Sequence, residues 1–495
     1  MFALAYARAT DTMRSCYNTF PVMTSDELII QFDSGTLLLD GADSSAQLPS
    51  AFRWDERVRR WRAPALAYRQ IITEMTRRKV PHQDQARQYL QFDFTSKLSI
   101  EPRPYQQEAL SEWQQNGRRG VVVLPTGAGK TFLAQMAIEM IGRSTLVIVP
   151  TIDLMNQWYN LLLSSFQAEI GLIGGGYFEK GAIVVTTYAS AFRFMERMGN
   201  QFGFIIFDEC HHLPGSVFRY AAELAIAPFR LGLTATPERE DGADTLLEEL
   251  IGPIVYKRQA QDLAGEYLAD YEIVRINVNL SAAEREAYER ERAVFREFLQ
   301  QKQIDLGGIR GWQNFIAASA RSEQGRRAMM SYRESKRIAL GTDSKMRVLA
   351  QLLERHRTER VLIFTAENEM VYRISEKFLI PAITHETAIK ERREWLAAFN
   401  AGEVLALTTS KVLNEGVDIP AASVAVVLSG SGSSREHIQR LGRILRKQPG
   451  KEAILYEVVA SGTTEENISR RRGAAEQFQE QKGRGGLWSN RNIQD

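Results

Sequence analysis

The chain has 495 residues, 44% of them apolar and 25% charged, with a net charge of +2 at neutral pH. That length exceeds what one hydrophobic core usually organises, so two or three domains are expected, and the composition excludes a disordered or fibrous chain. No run approaches the length of an apolar membrane span, the two cysteines, Cys16 and Cys210, lack any disulfide or zinc spacing, and the near-neutral balance restricts any nucleic-acid surface to local patches.

The first twenty residues, MFALAYARATDTMRSCYNTF, contain Arg8 where a secretory leader would be apolar. A transit peptide and a start at Met23 are the readings left open. Residues 25–42 read as two short strands joined by Asp33-Ser34-Gly35, a hairpin signal. Next come Trp54 and Trp61 among Arg53, Arg57, Arg59, Arg60 and Arg62, followed by a helical pattern through Tyr68, Ile71, Ile72 and Met75. The arginines would grip a nucleic-acid backbone beside stacking tryptophans, or else point outward from a small Trp-anchored core.

From Pro102 to Tyr256 short β-rich runs (GVVVLP, TLVIVP, AIVVTT, FGFIIFD, RLGLTAT) alternate with helical stretches, the signature of a parallel sheet covered by helices. A charged helical region over 281–340 interrupts the rhythm, which resumes with RVLIFTA, EVLALTTS and VAVVLSG. Its Arg321, Arg326, Arg327, Arg333, Lys336 and Arg337 form either a solvated face or a duplex grip. The chain past Gly473 is polar and Gly-rich.

LPTGAGKT, Leu124 to Thr131, sits between a strand and a helix, as a phosphate-binding loop requires. The backbone of Thr126, Gly127, Ala128 and Gly129 would close around phosphate oxygens. Lys130 would neutralise the β- and γ-phosphates, and Thr131 would ligate Mg²⁺. Leucine stands at 124 where the strict loop has glycine. In FIIFDECHH, Asp208 and Glu209 end an apolar strand, where open α/β sheets place their ligand sites. Asp208 suits the Mg²⁺ shell and Glu209 the attacking water. His211 and His212 lack any zinc-protease spacing. QRLGRILR, with Gln439, Arg443 and Arg446, sets basic side chains three apart on a helix, suited to a γ-phosphate from across a cleft.

Taken together these motifs resemble those of superfamily 2 helicases and translocases over residues 100–475. The resemblance implies an α/β fold with two RecA-like parallel-sheet domains and ATP with Mg²⁺ as cofactors. Arg103 and Gln106 of RPYQ become adenine readers, and Gly416 and Asp418 lie near the nucleotide. Thr151, Thr187 and Thr409 become strand-tracking contacts, and Thr234 and Thr236 of TATP couple ATP state to nucleic acid. Arg239-Glu240-Asp241, directly after TATP, is similar to the RED motif of the xeroderma pigmentosum group B family of DNA-repair helicases, in its compact archaeal or bacterial form. That triplet is a latch or a strand-separating wedge in the family reading, and an exposed turn otherwise.

The family reading divides the chain into a small α+β damage-recognition-like domain (1–92), a first motor domain with the RED motif (93–260), a linker (261–280), a helical thumb (281–340), a second motor domain (341–472) and a tail (473–495). It implies a 3'-5' DNA helicase or translocase acting in repair, monomeric, on forked or damaged DNA. A separate nuclease partner, no membrane and a nucleoid location in the cytoplasm of a prokaryote-like cell go with it. An RNA helicase and the motor of a restriction or defence system remain the alternatives. TATP in place of SAT, together with the RED triplet, disfavours RNA.

Overall fold

A computed structural model describes residues 28–43, 48–97, 100–237, 242–269, 271–306, 310–410, 422–429, 453–466 and 489–490. The first sheet contains β1 (Leu28–Asp33), β2 (Thr36–Asp40), β3 (Arg53–Asp55), β4 (Arg60–Pro64) and β5 (His82–Asp84), in the order β3-β4-β2-β1-β5, with α1 (Tyr68–Arg77) beside it. Ser34 and Gly35 both take positive φ, as the tight turn of a twisted hairpin demands. Trp54 and Trp61 face each other across β3 and β4, edge to face at 5.7 Å. Arg57 pairs with Asp55, Arg60 with Asp40, and Arg62 with Asp33, while Arg53 donates to the carbonyls of Ser50 and Phe52. These bonds favour the Trp-anchored core with outward arginines over a patch of free positive charge.

This small domain is docked on the α/β layer that follows it. Ile226 completes its core, Arg69 Nη1 donates to the carbonyls of Gly117 (2.7 Å) and Pro228 (3.2 Å), and Asn200 donates to Ala86.

The second sheet contains β6 (Arg119–Val123), β7 (Thr145–Val149), β8 (Ile170–Gly174), β9 (Tyr177–Phe178), β10 (Ile183–Thr187), β11 (Phe204–Asp208), β12 (Phe229–Thr234) and β13 (Ile254–Lys257). Its order is β13-β6-β12-β11-β7-β10-β8-β9, parallel except for the β8–β9 hairpin. The helices are α2 (Pro104–Gln115), α3 (Lys130–Ile141), α4 (Ile152–Ser165), α5 (Tyr188–Met198) and the short α6 (Tyr220–Glu223) and α7 (Leu246–Leu250). Strands buried on both faces read as unbroken apolar runs, which is why this sheet is plain in the sequence.

After α8 (Ala260–Leu263) the chain enters β14 (Tyr271–Val278), which pairs over eight residues with a late strand of the third sheet. The linker expected over 261–280 therefore contains a sheet strand. Its charges disguised it: Arg275 lies in register with Glu457 and pairs with it at 3.1 Å, so a half-buried cation offsets a buried carboxylate. Three helices come next, α9 (Ala282–Gln301), α10 (Gly311–Ala320) and α11 (Glu323–Gly341), packed around Phe295, Phe298 and Phe315. On them Arg327 pairs with Glu291, Arg337 with Glu334 and Lys336 with Glu367, while Arg321, Arg326 and Arg333 are exposed.

The rest of the third layer is α12 (Asp343–Arg355), β15 (Val361–Phe364), α13 (Asn368–Phe378), β16 (Ala382–Ile383), α14 (Ile389–Ala401), β17 (Ala406–Thr409), β18 (Val424–Val427), β19 (Ala453–Ala460) and β20 (Ser489–Asn490). The parallel order is β16-β17-β15-β18-β19-β14-β20. In α12 the Lys345 ammonium is fully buried and is satisfied by the Glu465 carboxylate and the Leu428 carbonyl. Two such α/β layers with a helical insert and a small docked domain are the architecture the sequence implies.

Candidate nucleotide and nucleic-acid site

Strands β6, β7, β10, β11 and β12 run parallel, so Val123, Val149, Thr187, Asp208 and Thr234 end at one edge of the second sheet. That edge is where an open α/β sheet binds ligands. The loop from Leu124 to Gly129 leaves it, and α3 starts at Lys130. Gly127 (φ 87°) and Gly129 (φ 77°) take left-handed backbone conformations that turn successive N–H groups inward. Leu124 is fully buried and its N–H donates to the Thr234 carbonyl at 3.0 Å. The position thus belongs to the strand ladder and core, which explains a leucine where the strict loop has glycine.

Around the loop the polar groups close on one another. Lys130 Nζ donates to the Leu124 carbonyl (3.1 Å), and Tyr105 OH donates to the Ala128 carbonyl (2.7 Å). Gln106, expected to read adenine, directs Nε2 to the carbonyls of Ala128 (3.2 Å) and Gly129 (3.3 Å), while Oε1 accepts from the Arg103 N–H (3.0 Å). A Cβ on Gly129 would stand 2.5 Å from that amide nitrogen. Arg103 lies over the Tyr267 ring at 5.5 Å and donates to its carbonyl.

Asp208 ends β11 and is buried. Its Oδ2 accepts from Trp158 Nε1 (2.8 Å), its Oδ1 from the Glu209 N–H (3.0 Å), and its carbonyl from Tyr188 OH (2.9 Å). Burial pushes its carboxyl up to about 6, Glu209 adds to the rise, and Lys130, the indole and the backbone bond oppose it. Glu209 holds a left-handed backbone (φ 46°, ψ 52°), a conformation that costs a non-glycine residue about 1–3 kcal/mol. Its Oε2 lies 3.5 Å from His211 Nδ1 and makes no hydrogen bond.

His211 carries the connection onward. Its Nδ1 lies 3.0 Å from Thr234 Oγ1, which itself donates to the Thr236 carbonyl and accepts from the Thr236 N–H. Asp208, Glu209, Thr234 and Thr236 are therefore brought into one network.

Thr151 and Thr187 cap α4 and α5: each Oγ1 accepts a backbone N–H at 3.2 Å, from Leu154 and Ser190 respectively. Both helices thus present their N-termini at the same sheet edge. Thr409 behaves otherwise. It is fully buried and its hydroxyl donates to the Ile383 carbonyl at 2.9 Å, which engages the hydroxyl within its own sheet. Gly416, Asp418, Gln439, Arg443, Arg446, Arg239, Glu240 and Asp241 lie outside the described residues.

The residues present suit a nucleotide with a divalent cation. The hydroxyl of Thr126, next to Gly127, and a carboxylate oxygen of Glu209 are buried without hydrogen bonds. Among the described residues no three His, Cys, Asp or Glu side chains cluster to form a metal cage. Mg²⁺ is commonly held by one or two side chains together with phosphate oxygens and water. Trp158, Tyr188, Tyr105 and Tyr267 are the members of the site that motif spacing does not reveal. Trp158 stands in the stretch VPTIDLMNQW, yet its partner Asp208 is far along the chain, on β11.

Three family models match the chain: the xeroderma pigmentosum group B helicase damage recognition domain over 30–86, the type III restriction enzyme res subunit over 99–239, and the helicase conserved C-terminal domain over 344–448. A DNA 3'-5' translocase XPB2 of Sulfurisphaera tokodaii is 39% identical over 429 residues, covering 87% of this chain and 97% of that protein. A DNA 3'-5' helicase XPB of Mycobacterium tuberculosis is 34% identical over 391 residues, 76% of this chain and 64% of its own. Among solved structures, Saccharomyces cerevisiae Dbp5 bound to RNA and ADP BeF3 shares the fold (TM-score 0.53, 16% identity, 76% of this chain and 88% of that one).

Proposed function

The chain belongs to the xeroderma pigmentosum group B family of superfamily 2 helicases, and from that premise we propose that it is an ATP-dependent DNA motor that tracks 3'-5' along one strand to unwind or remodel duplex DNA. The observation that carries the reading is the network at one sheet edge. It joins Asp208 and Glu209 to His211, Thr234 and Thr236, with the Lys130 charge acting on Asp208, beside the N-termini of α4 and α5.

ATP phosphates would lie against the N–H groups of Thr126 to Lys130. Lys130 would exchange the Leu124 carbonyl for a phosphate oxygen. Thr131 and Asp208 would hold Mg²⁺, which supplies charge neutralisation at the transferring phosphoryl group. Glu209, with one oxygen free of hydrogen bonds, would orient the attacking water and take its proton. Loss of that proton acceptor would be felt at His211 and passed to Thr234. Thr151 and Thr187 would meet DNA phosphates through the backbone of the helices they cap, a contact without sequence preference.

The N-terminal match supports a role in repair, with the small domain meeting the lesion. A separate nuclease would complete such a reaction, and the motor would act as a monomer at the nucleoid. Among the described residues no helix is long and apolar enough to cross a membrane.

ATP hydrolysis measured for the wild type and Lys130→Ala, without nucleic acid and with single-stranded DNA, forked DNA or RNA, tests this. Stimulation by DNA, absent in Lys130→Ala, is expected. Stimulation by RNA alone would overturn the reading, and co-purification tests the nuclease.

A further inference from the structure

One helix touches both the second α/β layer and the carboxylate at the nucleotide site. In the first turn of α4, Asp153 Oδ2 receives Arg392 Nη1 of α14 at 2.6 Å, both side chains being largely buried. Arg392 Nη2 reaches back to the Thr387 carbonyl of its own layer, so the guanidinium is held on that side too. Further along the same helix, Trp158 is 1% exposed and donates to Asp208. At the helical rise the two residues are separated by about 7.5 Å along the axis, too short a span to bend.

The Trp158 bond has a chemistry that packing alone does not require. An indole offers one N–H and no acceptor, so it holds an oxygen that must stay an acceptor. With the Glu209 N–H on Oδ1, it fixes the plane of the Asp208 carboxylate at two points. Phenylalanine keeps an aromatic ring in this core position but is smaller and offers no N–H, so the Mg²⁺ dependence and not stability is the readout that reports the lost bond.

We propose that Trp158 is a positioning residue for Asp208, and that α4 carries the state of the Asp153–Arg392 contact between the two α/β layers to that carboxylate. Separation of the layers breaks the ion pair and frees the first turn of α4. The indole then no longer holds Asp208 in one orientation, and affinity for the metal–nucleotide falls. The inference rests on the reading of Asp208 as the carboxylate that serves the metal–nucleotide.

The test is equilibrium binding of a fluorescent ATP analogue titrated with Mg²⁺, and of Mn²⁺ followed by its spin resonance, in the full chain. Folding of every variant is checked by circular dichroism. Trp158→Phe is expected to raise the Mg²⁺ midpoint about tenfold, the scale of a lost hydrogen bond to a charged group. It should lower kcat while leaving KM for ATP at saturating Mg²⁺ unchanged. Arg392→Gln and Asp153→Asn are expected to move the midpoint in the same direction, and Arg392→Gln should add nothing in the Trp158→Phe background. A wild-type midpoint in folded Trp158→Phe would overturn the positioning role. A shift in Trp158→Phe with none in Arg392→Gln would overturn the transmission through α4. If Asp208→Ala binds Mg²⁺ and nucleotide as the wild type does, the reading of the site itself fails, a different result from either.

Discussion

Lowering the pH should disarm the nucleotide site through Asp208 before it affects the fold. Burial holds this carboxyl at about 6, so the protein without nucleotide keeps it protonated in a window where an exposed aspartate has lost its proton. The native state therefore binds the extra proton from about pH 4 to about pH 6, so this group's contribution to stability is present at low pH and is lost as pH rises through 6. Binding of a divalent cation demands the opposite, an ionised oxygen. At pH 5 the ionised fraction is about one in eleven and at pH 7.5 it is nearly complete, so affinity for Mg²⁺ with nucleotide should rise about tenfold, about 1.4 kcal/mol, across that interval. The terminal phosphate of the nucleotide titrates in the same region. Asp208→Asn shares that titration and lacks the carboxyl, so the wild-type to variant affinity ratio isolates it. Calorimetric titration at pH 5.0, 6.0 and 7.5 should show the ratio climbing and then levelling. A ratio equal at pH 5.0 and 7.5 would refute the argument that burial governs this carboxylate.

Two further outcomes are expected from the packing. Gln106→Ala removes two bonds to loop carbonyls and should raise KM for ATP up to about tenfold, with the same effect on GTP, because the amide faces the loop and not a base; a loss confined to ATP would speak for base reading. Arg275→Leu alone removes the guanidinium that faces the buried Glu457 carboxylate and should lower stability in chemical denaturation more than the Arg275→Leu, Glu457→Leu double substitution does. A double substitution that loses as much or more would show that the two residues act independently.

The parts of the fold legible from sequence were those where one rule acts alone. The doubly buried strands of the second sheet are unbroken apolar runs, and the Asp33-Ser34-Gly35 turn carries its own backbone requirement. β14 was hidden because Glu272 and Arg275 break its apolar run, and only the register with β19 shows that Arg275 is matched. The site divides in the same way. Lys130, Asp208 and Glu209 are fixed by local motif and strand end. Trp158 and Tyr188 enter through long-range hydrogen bonds that no spacing encodes, and Gln106 and Thr409 have the right identities while their polar groups are engaged with neighbouring carbonyls.

The backbone of Glu209 bears on how this chain can be engineered. Glycine would adopt its left-handed conformation at no steric cost, and asparagine nearly so, which makes 209 a position where a stability screen would reward removing the glutamate. Any campaign to raise the melting temperature that scores folding alone would be drawn toward this residue and return a sturdier protein without the carboxylate proposed to take the proton of the attacking water. A thermostabilised form therefore needs position 209 excluded from the search.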